Sequence, residues 1–390
     1  MLDQMTQHKK RLSWNSALLG VYFTLPMLTK LFSYFVSMDN NFIFIAAIIL
    51  GISVLANGGL RMSGLFFSAA AVLTVIVLLF SVRMLQYDFS YTQYYLFAFA
   101  VYGLASMYLC SKPIDTNGVL RAILAVYALF TVLMLVYYIP EAQSATYYEG
   151  SMDISYTSLI GFSALLLYFP HAKRMLTKLV LAAMFLINGY YVFFLSDSRG
   201  AVLSLLIMLG LVVLQRVQQR KYFAVYVCIL LVALLLVAFS FSILIEWLTK
   251  VAPDVHWVRR FIYADDITTG RNQIYENAFA AIKESPLLGH GIGFFELHHN
   301  GSYTHNVFLQ LFVEFGIVLG GFAAAVLVLL SFKTLFARKS DILMIYLFSQ
   351  FVPRLLVSSV YWENLFIWSF VYLGLRSMSQ KRRGGAPHAA

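Results

Sequence analysis

Charged residues are scarce in this sequence. Only 12% of its 390 residues are Asp, Glu, Lys or Arg, whereas 61% are hydrophobic. Soluble proteins carry about 25% charged residues, so this composition excludes a water-soluble domain. A membrane-spanning helix needs about 20 apolar residues, and the chain is long enough for many of them. We therefore expect a membrane protein with many spans.

Cysteine is also nearly absent. Cys110 and Cys228 are the only two cysteines, and each lies in or beside an apolar run without a partner nearby in sequence. We expect neither a disulfide framework nor thiol redox chemistry. The net charge of +10 would suggest nucleic acid in a soluble protein. Here Lys and Arg lie mostly between apolar runs, where they orient loops, so no nucleic-acid partner is predicted.

The apolar runs predict an all-α, polytopic membrane fold. Lys9, Lys10 and Arg11 precede the first run as in a secretory signal. The run continues past Phe35 without a small-residue cleavage pattern, so a span is favoured over a signal peptide. The twelve predicted spans cover residues 13–36, 41–59, 62–82, 91–110, 117–139, 154–170, 175–195, 199–216, 222–246, 304–332, 341–359 and 361–377.

The charges between the runs predict how the chain crosses the membrane. Short cytoplasmic loops carry an excess of Lys and Arg. With both termini in the cytoplasm, every strongly basic loop is cytoplasmic, and the acidic stretch from Glu141 to Asp153 is external. The cytoplasmic basic residues are then Arg61, Lys112, Lys173, Arg174, Lys178, Arg216, Arg220, Lys221, Lys333, Arg338, Lys339, Lys381, Arg382 and Arg383.

One long connection, from Thr249 to Tyr303, separates the ninth and tenth predicted spans and is external by parity. Apolar residues at helical spacing between Gly270 and Glu284 predict a helix there, which Ser285-Pro286 should end. The connection is thus expected to form a folded cap. The predicted units are residues 1–246 with nine spans, 247–303 as the cap, 304–378 with three spans, and 379–390 as a cytoplasmic tail.

Two arginine sites stand out on the predicted external face. Arg199 opens a helix after Ser196-Asp197-Ser198, and Arg271 opens the helix of the cap with Arg259 and Arg260 upstream. A guanidinium at a helix N-terminus opposes the helix dipole, so an anionic ligand would explain it. The alternatives are a snorkelling interfacial arginine at position 199 and an exposed loop arginine at position 271.

A histidine leads into the tenth predicted span. Thr304 is a candidate N-cap, which would place His305 in the first helical turn at the membrane surface. A helix N-terminus and neighbouring arginines both disfavour imidazolium, so the expected pKa of His305 is lowered. A neutral imidazole is suited to general-base catalysis. The alternative is a hydrogen-bonded interfacial histidine.

Several other patterns favour packing over ligand binding. Gly289, Gly291 and Gly293 follow no strand, so close backbone packing is favoured over a dinucleotide fingerprint. The histidines of the cap lack any accompanying zinc motif, and no metal site is predicted. Gly316 and Gly320 form a G-x-x-x-G pattern, which indicates close helix contact.

Three segments together carry a family resemblance. They are the Ser-x-Ser-Arg-Gly-Ala start of a span at residues 196–201, TGRNQIYENAFAAIKESPLLGHGIG at 269–293 and HNVFLQLFVEFGIVLGG at 305–321. Their order and spacing resemble the O-antigen ligase and polymerase superfamily, bacterial membrane glycosyltransferases that use undecaprenyl-diphosphate-linked glycans. The resemblance covers residues 191–321, and the first 190 residues match only in having many spans.

The resemblance implies a twelve-span, glycosyltransferase-C-like fold in the bacterial inner membrane, with the active site facing the periplasm. It implies metal-independent, inverting transfer without a cofactor. By motif position, Arg199 and Arg271 would bind the diphosphate and His305 would be the essential histidine. The implied partners are the lipid-linked glycan donor, an acceptor that is lipid A-core or another lipid-linked glycan, and membrane lipids.

Arg354 is a further candidate from topology alone. It lies about five residues, or about 8 Å of helix, from the external end of the eleventh predicted span. It could face the same cavity as the diphosphate, with Arg259 and Arg260 as other supporting cations. An interhelical ion pair with Glu314 is the alternative.

Three functions remain open from the sequence. A ligase passes the finished glycan to lipid A-core, whereas a polymerase passes it to the next lipid-linked unit. The histidine opening the tenth span directly after a compact loop favours the ligase. A transporter or flippase is disfavoured, since the connection at residues 171–178 is short and the long loop is external.

Overall fold

A computed structural model of the protein describes residues 2–35, 41–85, 88–144, 151–196, 198–217, 247, 250–251, 271–336, 341–357 and 360–382. The described chain is helical, and none of these ranges contains a strand. The all-α prediction is therefore confirmed for this part of the chain.

Eleven helices are described between Leu2 and Val217. They are α1 (Leu2–Phe23), α2 (Leu25–Phe35), α3 (Asn41–Ala56), α4 (Gly64–Leu85), α5 (Phe89–Ala98), α6 (Ala105–Cys110), α7 (Thr116–Leu133), α8 (Ile139–Ser144), α9 (Ser151–Tyr168), α10 (Met175–Tyr190) and α11 (Arg199–Val217). Short π-helical turns at Phe99–Leu104, Met134–Tyr138 and Tyr191–Leu195 continue α5, α7 and α10.

The rest of the described chain contains the helix predicted between Gly270 and Glu284 and four further helices. The helices are α12 (Arg271–Glu284), α13 (Phe294–His298), α14 (Val307–Phe336), α15 (Ile342–Val357) and α16 (Leu365–Arg382). The end of α12 at Glu284 confirms the predicted stop at Ser285-Pro286.

Among the described residues, five helical segments are long and apolar enough to cross a membrane. They are Gly64–Val82, Thr116–Gln143, Met152–His171, Met175–Leu195 and Val307–Phe336. The predicted first span occurs as two helices, Arg11–Phe23 and Leu25–Phe35, bent by 67°. Other predicted spans correspond to shorter apolar helices such as Ile342–Leu355, and residues 222–246 lie outside the described ranges. The number twelve stays a prediction.

The outer faces of these helices are apolar. On α4, Phe67 is 65% exposed and Leu79 is 63% exposed. Large apolar patches of this kind are rare on soluble monomers and mark contact with a membrane or a partner. Lipid tails would cover such a surface without a cost in free energy. This placement in a membrane agrees with the apolar composition of the chain.

Small residues bring the helices close together inside the bundle. A β-carbon on Gly20 of α1 would lie 2.5 Å from the carbonyl oxygen of Val119 on α7. On α9, a β-carbon on Gly161 would lie 2.1 Å from the ring of Tyr127. Such close approach is how membrane helices gain van der Waals contact where the hydrophobic effect is weak. Helices α1, α7 and α9 therefore form a tightly packed core.

Candidate active site

The segment after α12 docks onto a break in α14. Gly316 has φ 70° and ψ 179°, which interrupts the helix. The carbonyl oxygens of Val313 and Glu314 consequently lose their helical partners, and they accept instead from the amides of His290 (2.8 Å) and Gly291 (3.0 Å). In return, the amide of Ile317 donates to the carbonyl oxygen of Pro286 at 2.8 Å. Backbone groups freed by the break are thus paired with the loop, as buried backbone requires.

The glycines of this loop serve close packing, as predicted. Gly289, Gly291 and Gly293 have φ of 64°, 103° and 78°, a region that side chains disfavour. A β-carbon on Gly293 would also lie 2.4 Å from the ring of Tyr95. Gly320, predicted to give close helix contact, approaches the first half of its own helix, where an added β-carbon would lie 2.4 Å from the Leu311 carbonyl oxygen.

Glu314 lies at the centre of a buried polar cluster beside this break. It is fully buried, and its Oε2 accepts hydrogen bonds from the Tyr361 hydroxyl and from Trp362 Nε1, the latter at 3.1 Å. Its Oε1 accepts from the Gly293 amide at 3.3 Å. These donors hold the carboxylate between the loop, α14 and the turn that precedes α16.

A second buried carboxyl joins the same cluster through a shared amide. Gln310 Nε2 lies 2.8 Å from Glu296 Oε1 and 3.2 Å from Glu314 Oε1. Burial, followed by the neighbouring Glu314 carboxylate, raises the pKa of Glu296 well above its usual range. Two carboxyls in one buried site disfavour each other's ionisation, so Glu296 tends to hold a proton.

His305 lies outside the helix, which corrects the predicted N-cap. Helix α14 begins at Val307, and Asn306 is its cap because Asn306 Oδ1 accepts from the amides of Phe308 (2.9 Å) and Leu309 (3.3 Å). Thr304 instead donates its hydroxyl to the Asn306 carbonyl at 3.0 Å. Both residue types are good caps, and the Asn306 amide oxygen is the group that reaches the helix N–H groups.

The backbone of His305 is left-handed. Its φ is 53°, and its ring lies 4.0 Å from that of Tyr303, centroid to centroid. Histidine adopts this conformation more readily than most residues, but it still carries strain that surrounding contacts must hold. Strained backbone of this kind clusters at functional sites, which keeps His305 as the leading candidate.

The helix that begins at Arg271 packs against the start of α14, which follows His305 in the chain. Arg271 is the first residue of α12 and is partly exposed. An apolar cluster packs α12 and α13 against the start of α14 with its buried members Ala278, Ala281, Phe295 and Val313. The elements that carry Arg271 and His305 thus form one unit. Arg259 and Arg260 lie outside the described residues.

Arg199 opens α11, as the sequence predicts. The Ser198 hydroxyl caps the helix by accepting from the Ala201 amide at 3.1 Å. The buried Ser196 hydroxyl accepts from Ser155 at 2.6 Å and ties this turn to the start of α9. The side chain of Arg199 lies outside the described part of the structure, so its role stays a prediction.

Arg354 lies near that turn and does not pair with Glu314 in the described part of the chain. Its guanidinium lies 5.3 Å from the ring centroid of Tyr156, one residue beyond Ser155 on α9. The alternative of an ion pair with Glu314 was wrong, because the Glu314 oxygens are occupied by the donors named above. The contact with Tyr156 places Arg354 close to the start of α11.

The histidines of the loop are engaged within it. His290 Nε2 lies 2.8 Å from the Ala281 carbonyl, His298 Nδ1 lies 2.8 Å from the Phe294 carbonyl, and His299 Nδ1 lies 2.9 Å from the Phe295 carbonyl. A carbonyl only accepts, so each of these nitrogens carries a proton. These contacts give the three rings a structural role.

An apolar groove of about 210 Å³ runs between α14 and α15. Val307 and Leu355 line it; Val307 follows His305 by two residues and Leu355 follows Arg354 directly. The apolar lining of the groove is suited to a hydrocarbon chain. Its other lining residues are Phe308, Leu327, Val328, Ser331, Phe332, Leu335, Phe348, Phe351 and Val352.

Sequence reasoning missed the Glu296–Gln310–Glu314 cluster. Gln310 and Glu314 stand four residues apart in an otherwise apolar run, so they share one helical face. This four-residue spacing was the sequence pattern from which a shared polar site could have been predicted. Their partners Tyr361 and Trp362 lie 47 and 48 residues further on, a distance over which no local pattern applies.

The helices and their apolar outer faces make this a multi-pass membrane protein. Comparison with known families identifies part of it more closely: residues 179–324 match the family described as O-antigen ligase. Over these residues the chain is similar to the O-antigen ligase family, and the predicted family resemblance is confirmed for this region. The family implies a glycosyltransferase-like enzyme of ligase or polymerase type acting on lipid-linked glycans. No curated protein matches the chain.

Proposed function

We propose that the protein is an O-antigen ligase-type glycosyltransferase. It moves a glycan from undecaprenyl diphosphate to a sugar hydroxyl of lipid A-core on the periplasmic face of the bacterial inner membrane. The observation that carries the proposal is the left-handed backbone of His305, two residues before the groove-lining Val307 and within the region that matches the family.

The proposed topology follows from the charge pattern. Twelve spans, with both termini in the cytoplasm, place the cap at residues 247–303 and the start of α14 in the periplasm. The groove then opens towards the periplasmic end of α14 and receives part of the polyprenyl chain. The diphosphate of the donor lies at the membrane surface beside His305 and Arg354.

The reaction breaks the bond between the anomeric carbon of the glycan and the diphosphate oxygen. The acceptor hydroxyl oxygen forms the new bond to that carbon from the opposite face, which inverts the configuration. His305 takes the hydroxyl proton, and the electron pair of the broken bond remains on the diphosphate. Arg199 and Arg271 stabilise this charge with bidentate hydrogen bonds. In this proposal no metal ion takes part.

Other groups of the loop are the alternatives for the proton transfer. His298 and His299 each donate Nδ1–H to a backbone carbonyl, which leaves Nε2 of each ring as an acceptor. Glu296 is buried and bound to Gln310, and its raised pKa favours the protonated form, which cannot accept another proton. The raised pKa of Glu296 therefore favours His305 over Glu296 as the base, and His298 and His299 stay the alternatives.

Transfer assays with separate acceptors test the proposal. Purified protein is supplied with a lipid-linked oligosaccharide and either lipid A-core or a second lipid-linked unit, and the products are identified by mass. A ligase lengthens only lipid A-core, whereas a polymerase lengthens the lipid-linked unit. If neither acceptor gains a glycosidic bond, the enzyme assignment fails, and a polysaccharide carrier is favoured.

A further inference from the structure

A polar cavity, distinct from the apolar groove, lies between α1 and the loops that precede α4 and α7. Its volume is about 290 Å³. Three cationic side chains line it, those of Arg11, Arg61 and Lys112, and no carboxylate lines it among the described residues. The buried amides of Asn15 and Asn57, which hydrogen-bond to each other at 2.9 Å, form part of its wall.

This cavity lies at the opposite end of the bundle from the candidate active site. Arg61 stands just before α4, whereas Phe80, near the other end of α4, accepts from the Ile292 amide of the active-site loop at 3.4 Å. The helix rises about 24 Å from Gly64 to Phe80. The two sites are therefore separate, and the predicted topology puts the cavity at the cytoplasmic surface.

Lys112 is unusual for a basic loop residue because it is only 5% exposed. Its ammonium donates to the Arg61 carbonyl and lies 4.0 Å from the ring centroid of Tyr108. Burial, followed by the nearby Arg61 guanidinium, lowers the pKa of Lys112. A lysine that serves only to orient a loop needs no burial, and a buried charge calls for a counter-charge.

The nearby acidic side chains of Asp115 and Asp341 do not line the cavity. Asp115 caps α7 by accepting from the Gly118 amide at 2.8 Å, and Asp341 accepts from the Leu343 amide at 2.9 Å at the start of α15. Lys112 and Arg61 thus lie close together in a half-enclosed cavity, and no anionic side chain lines its described wall. A bound anion would relieve this repulsion.

We propose that this cavity binds a phosphate group, carried either by an anionic membrane phospholipid or by phosphate in solution. Arg61 and Arg11 supply guanidiniums at the rim, whose planar forks match phosphate oxygens, and Lys112 supplies a point charge inside. Basic pockets between membrane helices at the cytoplasmic surface commonly bind lipid head groups. The proposal is independent of glycan transfer and does not depend on the proposed function.

Binding measurements on the full-length protein in detergent test this site. Native mass spectrometry follows bound phosphatidylglycerol against diacylglycerol, which has the same acyl chains but no phosphate. Each lost cation should weaken phosphatidylglycerol binding by about fivefold, since one basic residue contributes about 1 kcal/mol to anionic lipid binding. The variants are Arg61→Gln and Lys112→Gln. Arg121→Gln is the control, because this exposed residue near the same end contacts Tyr168 and lies outside the cavity.

Competition with inorganic phosphate distinguishes the two sources. Displacement of the lipid by millimolar phosphate indicates a site for free phosphate, and resistance to it indicates a lipid site. Equal binding of both phosphatidylglycerol and inorganic phosphate to wild type and Arg61→Gln would overturn the proposal, as would an equal loss in Arg121→Gln. Arg61 is exposed, so its variant decides the question even if Lys112→Gln does not fold.

Discussion

A β-carbon on Gly289 would lie 2.5 Å from the backbone nitrogen of Gly316. The loop before His305 and the break in α14 are therefore in direct backbone contact. Because the same loop also supplies the Gly293 amide to Glu314, the start of α14 is fixed by both backbone and side-chain contacts. His305 lies two residues before α14, at the edge of this packed unit.

Replacing either glycine should destabilise this unit. Gly289→Ala and Gly316→Ala both place a side chain on left-handed backbone and against a neighbouring carbonyl. We expect a loss of about 1–3 kcal/mol or more, measured as a lower thermal midpoint in detergent. Gly51→Ala is the control, since no atom lies within 4 Å of its added β-carbon. Equal midpoints for Gly289→Ala and Gly51→Ala would contradict the packing account.

The stability of the protein should depend on the protonation of Glu296. Its raised pKa means that the folded state keeps a proton which the unfolded chain releases near the usual Glu pKa of about 4.3. The free energy of unfolding contributed by this group therefore falls as the pH rises above that value, until the raised pKa is passed.

Thermal midpoints measured between about pH 5 and 9 test whether the stability contributed by Glu296 falls as the pH rises. Glu296→Gln mimics the protonated form, so it should lose this part of the pH dependence and be the more stable protein at the alkaline end. Glu284→Gln changes an exposed carboxylate at the end of α12 and should follow wild type. A Glu296→Gln profile parallel to that of wild type would show that the carboxyl is ionised throughout.

Local patterns predicted much of the fold. Helical periodicity and the Ser-Pro stop located α12, and the polar turn Ser196-Asp197-Ser198 located the start of α11. The break at Gly316 could not be predicted, because glycine in an apolar run is equally suited to close helix contact. The N-cap of α14 was predicted at Thr304 instead of Asn306, because both side chains can accept hydrogen bonds from helix amides. Which of the two caps the helix depends on how the preceding loop packs.

Arg271 should bind the donor diphosphate. Arg271→Ala is expected to weaken donor binding and to lower the transfer rate by about 10²-fold, and Arg271→Lys should recover only part of both because lysine lacks the guanidinium fork. Donor titrations with purified protein check this. Lys283→Ala, at the other end of α12 and exposed, is the control. Unchanged donor affinity in Arg271→Ala would remove Arg271 from the site.

The proposed topology predicts which positions are accessible from outside the cell membrane. Single cysteines placed at Ser151 and Ser302 should react with an impermeant thiol reagent in intact spheroplasts, whereas one at Ser340 should react only after lysis. Wild type reports the background from Cys110, which is buried, and from Cys228. The reverse pattern would place the candidate site in the cytoplasm and exclude the proposed reaction.

The central claim is that His305 takes the proton of the acceptor hydroxyl, and the most direct test is the single-turnover transfer rate of His305→Asn with saturating lipid-linked donor. Asparagine tolerates the left-handed backbone at this position and keeps a hydrogen-bonding side chain, but it cannot accept the proton. The account predicts a rate lower by about 10²–10⁴-fold with donor binding unchanged. A rate close to that of wild type would contradict it and assign His305 to acceptor positioning.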